Sequence, residues 1–353
     1  MKKVFLESHN VKNLASGFGI FNYELIKAFA KINPSDLELT LNLKKIAPFR
    51  NEFGDKFVYK QYIDFQRHAV FRVRKKYDVW HCMNQNIRVE PMQKPGKYIL
   101  TVHDVNFAED EQTTKNIQRS VRFREKLKRA DMITYISEYA KAQTYRNFEV
   151  PAVEDRIIYN GNPITTFLDT ADYISEVPVD KPFFYSIGDF LEKKNFESLV
   201  RMMKEITEYN LIISGSNQKA YGDKIRSLIS ELKLENRVFL TGRVSEGGKQ
   251  FYLKNCTAFL FPSIGEGFGL PPIEAMRFGK PVFLSNLASL PEIGGNAAFY
   301  WENFEPDYMK EFLFEKLNDF EQNSEIYISK LKERAAFFNW DDAAKAYLEC
   351  FRN

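Results

Sequence analysis

Short apolar runs alternate with longer amphipathic ones along the whole chain, and that rhythm decides how the fold is read. In the first half, runs at residues 3–7, 37–42, 57–63, 79–83, 98–102, 132–136 and 157–159 predict strands. Between them, 20–31, 65–75, 115–129 and 138–147 predict helices; in the first of these Leu25, Ile26 and Phe29 share one face at the 3.6-residue period. The periodicity lapses over 160–182, where Pro163, Pro178 and Pro182 interrupt it, and this predicts a linker. A second series follows, with strands at 183–187, 211–214, 238–241, 258–261 and 282–284. Helices are expected between them at 196–208, 219–232, 245–253 and 272–278, then at 306–320, 324–337 and 341–350. Such alternation predicts an α/β protein with parallel sheets. For 353 residues, two open doubly wound domains facing a central cleft are the economical arrangement. Ligands of such sheets sit at the carboxyl ends of strands, beside a switch in strand order.

Composition narrows this little. Hydrophobic residues make up 44% and charged ones 27%, enough apolar material for two cores, so a disordered chain is excluded. The net charge of +3 gives no case for nucleic-acid binding. The charge is uneven, however, at +5 over residues 1–180 and −2 over the remainder. Two basic runs, 67–76 (RHAVFRVRKK) and 119–129 (RSVRFREKLKR), contribute to the excess. They read either as solvated helix faces or as contacts to an anionic membrane or a phosphorylated acceptor. Cys82, Cys256 and Cys350 stand at unrelated spacings, which fits a reducing compartment better than a disulfide framework. Neither they nor the four histidines show metal-ligand spacing. The chain opens on a strand pattern rather than a signal peptide, and no apolar run approaches the ~20 residues of a membrane-spanning helix. A cytoplasmic protein is expected, or one peripheral to the cytoplasmic membrane face.

Candidate chemistry concentrates in residues 261–282, FPSIGEGFGLPPIEAMRFGKPV. An apolar strand ends at Pro262-Ser263, a turn carries Gly265, Gly267 and Gly269, and a helix opens at Pro271-Pro272. Glycines let backbone amides approach a ligand, and the amides and dipole of a helix start suit a diphosphate. Glu266 in the turn and Glu274 in the helix can face one bound molecule from different heights. A carboxylate accepts hydrogen bonds from sugar hydroxyls, so two could hold a ribose and a hexose separately. The plain alternative is a loop-to-helix junction in which Glu274 merely favours the dipole.

The string EGFGLPPIEAMRFGKPV resembles the signature of the retaining glycosyltransferases of the GT-B fold, family 4, the glycosyl transferases group 1. The resemblance implies two Rossmann-like domains, residues 1–178 and 179–339, with a helix at 340–353 crossing back to the first. It implies that Glu266 holds the donor hexose, that Glu274 holds the nucleotide ribose, and that Phe268, Gly269 and Leu270 meet the sugar and phosphate. Residues 183–199 (FFYSIGDFLEKKNFESL) resemble the family segment whose lysine, here Lys194, neutralises the leaving diphosphate. A solvated lysine would be poorly placed at a helix N-terminus, and that mismatch favours an anionic ligand. Many relatives carry an arginine after the glycine, where this chain has Gly188-Asp189; a second cation must come from elsewhere, with Lys193 and Arg243 as candidates.

Other segments match more loosely. Residues 238–244 (VFLTGRV) resemble the strand end that meets the base, with backbone contacts at Arg243 and Val244. Residues 16–20 (SGFGI), with Gly17 and Gly19, resemble the glycine turn against the donor diphosphate; no third glycine completes the dinucleotide fingerprint. In 101–107 (TVHDVNF), His103 occupies the place of a histidine against the donor hexose, and Asp104 either orients it or fixes the turn. The resemblance implies transfer with retention, no cofactor and no bound metal; Asp341-Asp342 lies in a late helix, the wrong context for a metal site. The expected partners are a nucleotide-sugar donor, with GDP-mannose mildly preferred over UDP-sugars, and a saccharide or lipid-linked acceptor in surface-glycan assembly. Loops at 47–66 and 109–116 are read as acceptor loops without a legible code. Closure of the domains would exclude water. A nucleotide-sugar epimerase of the same fold and a non-catalytic nucleotide-sugar-binding protein remain alternatives.

Overall fold

The computed structural model describes residues 1–108 and 113–353. The chain divides into two units, Met1–Pro163 with Asn339–Asn353, and Ile164–Phe338. The first contains strands β1 (Lys2–Leu6), β2 (Leu37–Leu43), β3 (Val58–Gln61), β4 (Val79–Cys82), β5 (Lys97–Val102), β6 (Met132–Tyr135) and β7 (Glu154–Ile157). All neighbours pair parallel in the order β3-β2-β1-β4-β5-β6-β7, so the direction of winding reverses between β1 and β4. Helices α1 (Gly17–Ile32), α2 (Ala47–Phe53), α3 (Thr114–Arg129) and α4 (Glu138–Asn147) connect them.

The second unit contains β8 (Phe183–Ile187), β9 (Asn210–Ser214), β10 (Val238–Gly242), β11 (Ala258–Phe261), β12 (Val282–Ser285) and β13 (Phe299–Trp301). Its sheet is also parallel, in the order β10-β9-β8-β11-β12-β13, with the switch between β8 and β11. Its helices are α5 (Phe196–Met202), α6 (Ala220–Glu231), α7 (Glu246–Asn255), α8 (Leu270–Arg277), α9 (Leu290–Gly294), α10 (Pro306–Gln322) and α11 (Ser324–Phe337). Strand residues alternate between two cores. Phe184, Leu211, Ile213, Leu260 and Phe283 enter one. Phe183, Tyr185, Ile212, Phe259, Phe261, Val282 and Leu284 enter the other. Burial on both faces explains why these strands are nearly continuous apolar runs.

The last helix, α12 (Trp340–Arg352), packs in the first unit. Phe21 meets Trp340 and Tyr347 edge-on, and Phe351 lies against Phe29 and His81. Arg352 holds Asp36 through two bonds of 2.7 and 2.9 Å. The division between units falls at Pro163, earlier than the expected 178. Residues after 163 are not a free linker: Ile164 is buried in a core of the second unit, Tyr173 and Val177 pack against that core, and Gln250 of α7 receives the amide of Leu168 at 2.9 Å.

Three further expectations change. The helix expected at 65–75 is two short 3-10 turns, Asp64–Arg67 and Ala69–Phe71, because Phe65, Val70 and Phe71 have no core to face and stand exposed. Strand β7 lies at Glu154–Ile157, earlier than its apolar residues suggested, since an edge strand tolerates charge. Helix α2 lies within the stretch read as an acceptor loop, and residues 109–112 of the second such loop are outside the described part.

Gly161 sets the seat of α12: a Cβ there would lie 2.2 Å from the Trp340 amide nitrogen and 2.4 Å from its Cγ. Gly161→Ala should cost about 2 kcal/mol and lower the unfolding temperature by roughly 5 °C. An unchanged thermal midpoint would show that the helix is not held there.

Candidate active site

The loops after β8, β9 and β10 are stitched together at the carboxyl edge of the second sheet. The Gly188 amide donates to the Ser214 carbonyl at 2.9 Å, and the Gly215 amide to the Gly242 carbonyl at 2.7 Å. Gly215 has φ 143°, and a Cβ on it would stand 1.8 Å from the Gly188 carbonyl oxygen, so this approach requires glycine. The β8 loop then makes a 3-10 turn, Glu192–Lys194, and Asn195 at φ 52° redirects the chain into α5.

That turn docks on the segment following β11. The Ile264 amide donates to the Lys193 carbonyl at 2.7 Å, and the Ser263 hydroxyl lies 2.9 Å from the same oxygen. Lys194 is thereby carried across the Phe261 ring, 4.8 Å from its centroid, to Glu266 Oε1 at 2.5 Å. The Ser263 hydroxyl is 2.6 Å from that same carboxylate oxygen. A side chain at Gly188 would press on the lysine stem at 3.2 Å. Burial pushes the Glu266 carboxyl up, but the charges of Lys194 and Lys193, with hydrogen bonds from Lys194 and Ser263, outweigh it. The net shift is downward, so Glu266 is a carboxylate at neutral pH.

Beyond Glu266 the backbone is fixed by Ser289, whose hydroxyl lies 2.5 Å from the Phe268 carbonyl oxygen and 3.1 Å from that of Glu266. Phe268 is buried, Gly269 takes φ 127°, and Leu270 opens α8. Pro271 and Pro272 follow, and neither has an amide hydrogen to donate. The anion-binding capacity expected of this helix start is therefore smaller than a generic first turn would give. It rests on the turn amides, on Leu270 and on nearby lysines.

Glu274 is buried one turn later, and its Oε1 accepts from Lys249 Nζ at 2.9 Å. Burial dominates here: it raises the carboxyl above its ordinary value despite the opposing charge of Lys249. Lys249 escaped the sequence reading. The signal was available, since it is a lysine in the first turn of α7, the same dipole mismatch that singled out Lys194.

Of the two candidates for a second cation, Arg243 faces Asp189, with Nη2 3.3 Å from Oδ1, and the Ser216 amide points to the same oxygen at 3.4 Å. Lys193 belongs to the turn that holds Glu266 and contributes to lowering its carboxyl. Val244 packs its side chain against the core.

In the first unit, His103 follows β5 and is buried. Its Nε2 donates to the Met83 carbonyl at 2.9 Å, its amide donates to Gln85 Oε1 at 3.1 Å, and Phe18 and Phe21 meet it edge-on. Burial lowers its pKa to about 4, so the ring is neutral and Nδ1 carries the acceptor lone pair. Asp104 accepts from the Asn106 amide at 3.3 Å, the geometry of a turn, and it is Met83 and Gln85 that orient His103. Gly17 begins α1 with open space at its Cβ position. The Gly19 amide is taken by the Ser16 cap at 3.1 Å, and a Cβ on Gly19 would collide with the Asn13 carbonyl. Gly19 is thus required for packing.

Two Rossmann-like units, the second with lysine–glutamate pairs near its strand-order switch, have the architecture of the GT-B fold. Residues 169–336 match the family model of the glycosyl transferases group 1. O-antigen chain mannosyltransferase B of Escherichia coli is 26% identical over 275 residues, covering 72% of this chain and 70% of that one. O-antigen chain mannosyltransferase RfbU of Salmonella typhimurium is 26% identical over 203 residues, covering 57% and 55%. Sucrose-phosphate synthase of Thermosynechococcus elongatus has the same fold, with a TM-score of 0.76 at 21% identity over 100% of this chain and 98% of that one. Anabaena HepE, solved with UDP and glucose, has a TM-score of 0.69 at 14% identity over 100% of both. The matched residues lie within the second unit, Ile164–Phe338.

Removing Lys194 would leave the Glu266 carboxylate withdrawn from water beside Lys193 alone. Lys194→Met should cost about 3 kcal/mol at neutral pH. Because the folded-state value of Glu266 is depressed, the loss should be full above the ordinary glutamate range and shrink as pH falls through it. Urea unfolding at both ends of that range measures it; a pH-independent loss would contradict the pairing.

Proposed function

We propose that the chain transfers a hexose from a nucleotide sugar, with retention at the anomeric carbon, to a saccharide or lipid-linked saccharide acceptor in surface-glycan assembly. The observation that carries this reading is the pairing of Glu266 with Lys194, and of Glu274 with Lys249, at the switch between β8 and β11. Glu266, ionised and anchored on one oxygen, suits the hydroxyls of the transferred hexose. Glu274 suits the ribose, and Arg243 and Val244 offer backbone contacts to the base. When the bond to the diphosphate breaks, negative charge builds on the phosphate and positive charge on the sugar ring. Lys194, with two ammonium hydrogens beyond the one aimed at Glu266, and Lys193 stabilise the first as fixed charges. His103, neutral, accepts from a sugar hydroxyl through Nδ1. Two relatives named O-antigen chain mannosyltransferases support mannose as the hexose, and GDP-mannose is the donor to test first.

The first test is a thermal-shift screen of GDP, UDP and ADP, followed by assay of the matching sugar donors for diphosphate release with and without acceptor. Release that depends on an acceptor supports transfer; free epimerised sugar without one would favour an epimerase instead. Glu274→Ala should weaken nucleoside diphosphate binding more than Glu266→Ala does, by roughly tenfold or more for a lost bond to a charged group. Equal affinities in the two variants would show that the division of labour is wrong.

We also propose that the first unit touches an anionic bilayer through residues 63–76. Ile63, Phe65, Val70 and Phe71 are all exposed there, with Phe65 at 66% and Val70 at 70%. Arg67, Arg72, Arg74, Lys75 and Lys76 belong to the same segment, Arg67 pairing with Asp64 and Lys75 with Glu38. Apolar side chains amid cations suit a headgroup boundary. The double variant Phe65→Ser/Phe71→Ser should lose co-sedimentation with phosphatidylglycerol vesicles and keep its thermal midpoint. Wild-type protein that stays in the supernatant would refute the contact.

A further inference from the structure

Lys249 has no assigned role, yet its surroundings are those of a site rather than a surface. Its side chain is 13% exposed, and Nζ stands 2.9 Å from Glu274 Oε1 and 3.0 Å from Glu246 Oε2. Glu274 is withdrawn further, at 4% side-chain exposure, while Glu246 is at 53% and reaches solvent. The lysine occupies the first turn of α7, where Ser245 caps the helix by accepting the Gly248 amide at 3.1 Å. A cation there opposes the helix dipole, so its position is maintained by the two carboxylates and not by the helix.

The second carboxylate oxygen gives the arrangement its meaning. Among the described residues, Glu274 Oε2 has no protein hydrogen-bond partner, and it is not among the fully enclosed orphan atoms. One oxygen is anchored and the other is open. The groups facing the pair are Glu246 from α7 itself and the Tyr185 phenol from β8, whose buried hydroxyl also lacks a partner. Neither supplies positive charge, so Lys249 alone among these groups opposes neutralisation of a carboxylate that burial drives towards its acid form. A protonated Glu274 would carry a hydroxyl donor in place of part of its acceptor capacity and would lose the charge that strengthens bonds from the ribose hydroxyls.

We propose that Lys249 is a positioning residue for the nucleotide: it anchors Oε1 of Glu274 as a carboxylate and so presents Oε2 to the ribose hydroxyls. This rests on the ribose reading of Glu274 given above. Lys249 touches the glutamate and acts through it. Its side chain therefore determines how strongly the protein distinguishes a ribonucleotide from one lacking both ribose hydroxyls.

Calorimetric titration of the full chain with GDP and UDP, and with their 2′,3′-dideoxy counterparts, tests this between about pH 6 and about pH 8.5. Wild-type protein should prefer the ribonucleotide by roughly tenfold, the scale of hydrogen bonds to a charged acceptor. Lys249→Met should lose that preference at the acid end and regain part of it as pH rises, because Glu274 ionises only towards high pH without its cation. Lys249→Arg should keep it across the range. A merely structural role would weaken both nucleotides alike and leave the ratio and its pH profile unchanged; that outcome overturns the proposal. Should Lys249→Met not fold, Lys249→Gln, which keeps a donor without the charge, carries the same test. Glu274→Gln separates the two readings. If it loses the ribose preference while Lys249→Met keeps it, Lys249 has no part in recognition and the Glu274 assignment stands. If wild type shows no preference and Glu274→Gln changes nothing, the ribose assignment itself fails, and the role of Lys249 with it.

Discussion

A carboxylate withdrawn from water is tolerable only beside a positive charge or a set of hydrogen-bond donors, and the second unit meets that condition twice at one edge of its sheet. Lys194 reaches Glu266 from the turn after β8, and Lys249 reaches Glu274 from α7. Both lysines stand at helix starts, where the dipole works against them. The first unit has a buried pair of another kind. Lys126 of α3 contacts Glu90, Cys82 and Tyr98, while both oxygens of Glu90 receive the Tyr98 hydroxyl at 3.0 and 3.2 Å and Arg129 adds a weaker contact. That carboxylate is saturated from within. Its pair stabilises the fold and offers nothing to a ligand, whereas Glu274 keeps one oxygen open. The difference between structural and ligand-directed ion pairs lies in this unspent capacity, not in burial.

Topology explains why the open pairs fall where they do. A parallel sheet that winds outward in both directions leaves a gap where consecutive connections diverge. In the second unit the gap lies between β8 and β11, and the Lys194 turn and the Glu266 loop are the segments that leave those two strands. They close on each other through the Lys193 carbonyl, which receives the Ile264 amide and lies beside the Ser263 hydroxyl. Backbone thus sets the separation of lysine and glutamate. The Lys194 stem, laid across the Phe261 ring, then reaches Glu266.

Much of this was legible in the amino-acid sequence because each feature had a local physical signature. Strand cores such as 183–187 and 258–261 are apolar on both faces, and 261–282 combines glycine, proline and acid at a strand-to-helix junction. What escaped depended on partners distant in sequence. Lys249 is unfavourably placed in the first turn of α7, but its partner is visible only when Glu274, 25 residues later, is seen beside it. The helix expected at 65–75 had the right composition and lacked a surface to pack on. The short strand β13 carries too little periodicity to announce itself, and the charged start of edge strand β7 hid where that strand begins. The position of the unit boundary depended on whether 164–178 finds a core to join, and Ile164 settles that by burial alone.

The departure at Asp189 follows from the same electrostatic logic. An acid placed after Gly188 would repel a diphosphate if left uncompensated. Here its Oδ1 faces Arg243 from the end of β10 and the Ser216 amide from the loop after β9. The two charges cancel locally, so this corner of the sheet edge presents backbone rather than net charge. On the proposed reading, the positive field for a leaving diphosphate is then concentrated on the Lys193-Lys194 turn. Both of those lysines already act on Glu266. On that same reading, cation and hexose-binding acid are coupled, because Lys194 is shared between the phosphate and the carboxylate. Ser263, 2.6 Å from the same oxygen, gives Glu266 a hydrogen bond that does not depend on Lys194.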